Sequence, residues 1–151
     1  LIAIIHPGLT RLDPLIGLDP LPARPLFVAA GVILGIPGIY LLGISNRLLR
    51  ALGSGANAFR LTQRVVTADA YRRTRNPMSL GYYLSCVSLA FLSGSSLLTG
   101  YVLVGVIPAH LFFLKFFEER ELELRLGASY ADYKQAVPFL QQLGSNLYSA
   151  N

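Results

Sequence analysis

The sequence predicts an all-α fold, a polytopic bundle of transmembrane helices forming a single domain over residues 1–151. Three observations carry that reading. Hydrophobic residues make up 53% of the chain and charged residues only 14%, where soluble domains carry about 25% charge; mean hydropathy is +0.51. Three apolar runs, 26–47, 79–97 and 98–117, are almost free of charge. Between the first two, residues 45–76 hold Arg47, Arg50, Arg60, Arg64, Arg72, Arg73 and Arg75 against a single acid, Asp69. A basic connection of that kind marks the cytoplasmic side of a membrane protein.

The elements follow in order. Residues 1–25 are an irregular or truncated N-terminal part: Leu1-Ile2-Ala3-Ile4-Ile5 reads as the end of a membrane helix or a short buried segment, and no cleavable signal is argued from it. Five prolines between residues 6 and 25 predict an irregular loop or re-entrant turn. From Leu26 the chain is uncharged for about the 20 residues a crossing needs. Pro37 is a kink site there, and Gly31, Gly35, Gly38 and Gly43 admit a neighbouring helix at close range. Pro77 lacks an N–H and turns Asn76 away from helical geometry, so the second helix starts at Pro77 or just after it. Its leading N–H groups face the polar loop. Ser93-Gly94-Ser95-Ser96 marks a turn, and the third span runs from Leu97 to about Phe117 with Pro108 as a kink site. Residues 118–138 form a charged cytoplasmic tail helix, with Gly127 as an interruption and Val137-Pro138 as its end. The last dozen residues read as frayed.

Several function classes recede. The formal charge of +5 is gathered beside apolar segments, a membrane-topology pattern and not a nucleic-acid footprint. The single Cys86 supports neither a disulfide framework nor a cysteine metal site. The Gly31-to-Gly35 spacing follows no strand and is no dinucleotide fingerprint. Membrane lipids are the expected partners, with neither nucleic acid nor metal.

Two blocks carry chemistry. Tyr71, Arg75-Asn76-Pro77-Met78 and Gly81 resemble the Tyr-x-x-x-Arg-(His/Asn)-Pro-x-x-x-Gly signature of the isoprenylcysteine carboxyl methyltransferase and phospholipid methyltransferase superfamily. Glu118-Glu119, Leu126-Gly127, Tyr130, Tyr133 and Val137-Pro138 are similar to that superfamily's second block, in order and spacing. The resemblance implies a small integral-membrane enzyme using S-adenosyl-L-methionine in a cytoplasmic-facing cofactor pocket. It implies Gln63, Arg64, Val65, Val66, Tyr71, Asn76, Pro77, Met78 and Glu118 as cofactor-binding residues. No catalytic residue is assigned; Arg75 and His110 are the candidates. The acceptor would come from the lipid phase: a prenylcysteine carboxylate, a phospholipid amine, or a small thiol or other apolar metabolite. Ser79 departs from the usual Tyr, and Leu126 from the usual aromatic.

Each residue also has a plainer reading. Arg72, Arg73 and Arg75 suit lipid headgroups, and any of them suits a salt bridge to Glu118. Asn76 is a good helix cap. His110 bonds a neighbouring helix as readily as it accepts a proton. Tyr130 and Tyr133, three apart on one helical face, pack the tail back onto the bundle or cap the pocket. Two other classes stay open: a membrane sterol-reductase-like enzyme with a nicotinamide cofactor, and a non-catalytic membrane protein on the same scaffold.

Overall fold

A computed structural model describes residues 12–53 and 64–140. The Leu1-to-Ile5 stretch, Arg60, Gln63 and the tail from 141 lie outside the described residues. Among those described, every regular element is helical. Four helices organise them: α1 (Arg24–Leu52), α2 (Pro77–Ser93), α3 (Ser96–Leu126) and α4 (Ala128–Ala136). Single turns at Pro14–Ile16 and Asp69–Arg72 punctuate the connections.

Helices α1 and α3, of 29 and 31 residues, are long and apolar enough to cross a bilayer; α2 is shorter at 17. Their apolar faces point outward: Ile33, Ile36 and Ile39 on α1 are 68–70% exposed, and Val104 on α3 is 80% exposed. A soluble core helix would bury these side chains, whereas lipid solvates them.

Helices α1 and α2 run antiparallel along a seam of small residues. A Cβ added to Gly81 would stand 2.8 Å from the Gly38 carbonyl oxygen and 2.9 Å from the Leu42 nitrogen. Gly31, Gly35 and Gly38 meet Leu92, Ser88 and Ser85 in the same way, and the Ser88 hydroxyl donates to the Gly31 carbonyl at 2.7 Å. Backbones this close gain dispersion and a polar tie that hydrocarbon cannot disrupt. Gly43 is the correction to the expected set: nothing lies within 4 Å of a Cβ placed there, because it faces away from α2.

Helix α3 returns along α2, burying Cys86 and Ala90 against Leu98 and Val102. It runs on through Glu118 to Leu126, so the border between apolar and charged sequence is no helix end. Two stretches are widened to π-helix, Tyr101–Val106 and Leu114–Glu118. In the second, the Glu119 N–H bonds the Leu114 carbonyl, five residues back. Gly127 (φ 57°, ψ −136°) then turns the chain into α4, a backbone region where glycine avoids the Cβ clash.

The opposite end is closed by Asp13, a residue that the proline-rich pattern did not single out. Its buried carboxylate accepts from the Ser95 hydroxyl at 3.0 Å and the Leu97 N–H at 3.1 Å, at the start of α3. The Leu21 N–H donates to the Gly94 carbonyl at 3.0 Å.

Candidate functional site

Both sequence blocks meet at the arginine-rich end. Arg75 and Glu119 form an ion pair whose side chains are only 7% and 5% exposed. Lys115 and Lys134 each approach the second Glu119 oxygen at 3.4 Å. Lys134 also donates to Glu123 at 2.6 Å, holding that carboxyl below its ordinary range and its own ammonium above. The guanidinium of Arg75 and the ammonium of Lys115 lie 5.6 and 5.1 Å from the Phe139 ring centre, within cation–π reach.

The backbone seals the same junction. The Arg75 N–H donates to the Pro138 carbonyl at 3.0 Å. The Thr74 hydroxyl and the Asn76 side-chain amide both donate to the Phe139 carbonyl at 3.1 Å. Thr74 and Phe139 had no role in the sequence reading, because this pairing joins segments more than sixty residues apart. Asn76 precedes α2 without a side-chain cap bond, its amide nitrogen being committed to Phe139. Pro77 is fully buried at the first turn and Met78 is half-buried.

Tyr71, in the Asp69–Arg72 turn, is buried, and its carbonyl accepts from the Tyr133 hydroxyl at 2.7 Å. Tyr130, Tyr133 and Val137 form a small core with Val65, Leu122 and Leu126, which docks α4. Val66 is buried; Arg64 is exposed. Glu118 differs from its neighbour: it is half-buried and, among the described residues, forms no ion pair, while its charge is felt at Tyr71. His110 lies deeper, within the apolar part of α3, where Nδ1 meets the Tyr83 hydroxyl at 2.9 Å. On α1 at this end the Ser45 side chain meets the Tyr71 phenol, and Asn46 Oδ1 is buried without a hydrogen bond among the described residues.

The phospholipid methyltransferase family matches residues 26–128. The chain belongs to that family. No match was found among curated proteins or among solved structures. A phospholipid methyltransferase family implies methyl-transfer chemistry in general and lipids as substrates. Together with two helices long and apolar enough to span a bilayer, it marks the chain as a membrane protein. The region matched to the phospholipid methyltransferase family holds α1 from Leu26 onward, α2, α3 and both partners of the Arg75–Glu119 pair, whereas α4 lies beyond it but for Ala128.

The buried phenols at this end give a pH prediction. Burial pushes Tyr71 above the ordinary 10.0, opposed by Ser45 and aided by Glu118. Burial also raises Tyr133, with Tyr71 and Tyr130 adding to the shift. The folded chain therefore keeps protons that the unfolded chain releases above about pH 10. Stability from these groups is fully present below the unfolded pKa and is lost as pH rises above it. Unfolding midpoints measured in detergent from pH 8 to 12 are expected to stay level and then fall past 10. Tyr133→Phe should flatten part of that fall, and at neutral pH it should cost about 1 kcal/mol from the lost bond to Tyr71.

Proposed function

We propose that the chain is a multi-pass membrane enzyme that transfers a methyl group from S-adenosyl-L-methionine to a lipidic or membrane-partitioned acceptor. Its donor site faces the cytoplasm at the arginine-rich end. The observation that carries this reading is the division of labour between adjacent carboxylates. Glu119 is consumed by Arg75, Lys115 and Lys134, while Glu118 is left half-buried and, among the described residues, without an ion pair. An uncommitted carboxylate beside a membrane is expensive to retain without a ligand.

The residues fit the donor. Glu118 is suited to its ammonium or ribose hydroxyls, and Tyr71 and Met78 offer ring and thioether surface to its adenine. When bound, S-adenosyl-L-methionine supplies an electrophilic methyl on a sulfonium; its transfer leaves a neutral thioether, with the positive charge cancelled by an anionic acceptor or passed to the nitrogen of an amine. The chain's part is to hold both partners in line and dry. Arg75, Asn76 and Thr74 serve this by fixing the 74–76 segment against Pro138 and Phe139. The outward-facing Phe112, Phe113, Phe116 and Phe117, each more than half exposed, line the approach from lipid.

Equilibrium binding of labelled S-adenosyl-L-methionine to detergent-purified protein tests the reading, with NADPH as the counter-ligand. The wild type is expected to bind the methyl donor and not NADPH. Glu118→Ala should weaken binding at least tenfold, about 1.4 kcal/mol, with little change in unfolding. No donor binding, or NADPH binding in its place, overturns the proposal.

A further inference from the structure

A second polar cluster lies at the end of the bundle remote from the arginine-rich loop, where α1 starts, α2 ends and α3 begins. Asp13, Leu18, Asp19, Arg24, Ser93 and Ser95 are among the residues lining a cavity of about 500 Å³ there, within the roughly 300–1,000 Å³ usual for a small-molecule site. Arg24 is separated from Ser45, which meets the Tyr71 phenol, by about 30 Å of α1. No part of the proposed methyl transfer uses these residues.

The cavity holds charges of both signs apart. Asp13 is 4% exposed, and both hydrogen bonds to its side chain, from the Ser95 hydroxyl and the Leu97 N–H, fall on Oδ1. Among the described residues Oδ2 has no partner, although Asp13 forms part of the cavity wall. The Arg24 guanidinium lies over Gly94 in the same wall, 3.8–3.9 Å from where a Cβ would stand. Yet among the described residues no ion pair joins Arg24 to Asp13 or Asp19. Arg24 is also the first residue of α1, whose opening turn carries neither an acid nor a side-chain cap. A cation at the positive end of a helix dipole is unfavourable unless an anion lies beside it.

The rim of the cavity is apolar. Leu15 and Ile16, on the turn that follows Asp13, are 78% and 56% exposed, and Leu18 in the wall is 39% exposed. Exposed apolar side chains gathered beside a polar cleft mark a membrane contact, where acyl chains cover them. We infer that this end of the bundle holds a phospholipid by a phosphoethanolamine headgroup, its phosphate on Arg24 and its ammonium between Asp13 Oδ2 and Asp19. The inference needs a membrane chain and does not depend on methyl transfer. The arginine fork matches a phosphate. An ammonium donates three hydrogen bonds to carboxylate oxygens, whereas a trimethylammonium donates none, so ethanolamine fits here and choline does not. Bound at the end opposite the donor site, this lipid is a resident ligand and not the methyl acceptor.

Native mass spectrometry of the full chain in detergent, supplied with equimolar phosphatidylethanolamine and phosphatidylcholine, counts the lipids retained. Wild type is expected to keep one phosphatidylethanolamine that Arg24→Gln and Asp19→Asn each lose, chosen over phosphatidylcholine at least tenfold. Both side chains are exposed, and the Asp19 bond to Ser96 uses its backbone carbonyl, so lipid-free unfolding midpoints should match wild type. Glycerophosphoethanolamine, the same headgroup without acyl chains, should displace the lipid only at tenfold or greater excess. Displacement at equal concentration overturns a lipid as the occupant. Equal retention by wild type and both variants overturns the inference, as does equal retention of the two lipids by wild type. A variant midpoint that falls while the phosphatidylethanolamine is kept also overturns it, since the side chains then serve only the fold. The methyl-transfer reading stands or falls on donor binding, which this count does not read.

Discussion

Glu119→Ala is expected to lower unfolding stability by about 3–5 kcal/mol, the usual consequence of stranding one half of a buried ion pair. The side chain of Arg75 is 7% exposed, so water cannot take over its solvation, and Lys115 and Lys134 lose the carboxylate oxygen they approach. For a chain of this size the midpoint in detergent should fall by roughly 10 °C. The pair also ties α3 to the loop preceding α2, so its loss loosens the site as well as the fold. Arg75→Met combined with Glu119→Leu should regain most of the loss, since neither charge then remains buried. Glu118→Ala, at the next residue, should change the midpoint little while impairing donor binding. Equal midpoint losses at both glutamates would refute this division between a structural and a ligand-facing carboxylate.

Gly81→Val is expected to be the most damaging change within the spans, costing about 3 kcal/mol, at the upper end of overpacking losses. The argument turns on which atoms a side chain would meet. At Gly81 they include backbone, the Gly38 carbonyl and the Leu42 nitrogen, both under 3.0 Å from a Cβ. These cannot rotate away, so α1 and α2 must separate along their whole seam. At Gly35 the neighbour inside 3.0 Å is the Ser88 hydroxyl, which can turn, and Gly35→Ala should cost less. Gly43→Ala should stay within about 0.5 kcal/mol, with open space around it. Thermal unfolding of the three variants ranks them; a Gly43 effect as large as that of Gly81 would contradict the seam.

Much of this architecture is legible in the chain because hydrocarbon leaves few choices. The uncharged run from Leu26, the proline at position 77 and the Ser-Gly-Ser turn before α3 each mark an element that the structure contains. What stays hidden depends on helix phase and on distant partners. Glu118 and Glu119 are equivalent by composition, and only the winding of α3 decides that Glu119 faces Arg75. The charged helix expected past Phe117 is the continuation of α3 as far as Leu126, since Glu, Arg and Leu are all good helix formers; the change in composition records solvent and not backbone. In the sequence Asp13 is one loop acid among prolines, since its partner Ser95 is 82 positions away.

The widened turn at Leu114–Glu118 acts as a phase adjuster. Bonding five residues back admits one extra residue, so Leu114 and Glu119, both nearly inaccessible, come to lie on one side of the rod. Removing a single residue between them would rotate the downstream charges by about 100°, offering Arg75 a different neighbour. Here chain length is as stringent a requirement as side-chain identity, and an insertion or deletion would be less tolerable than most substitutions.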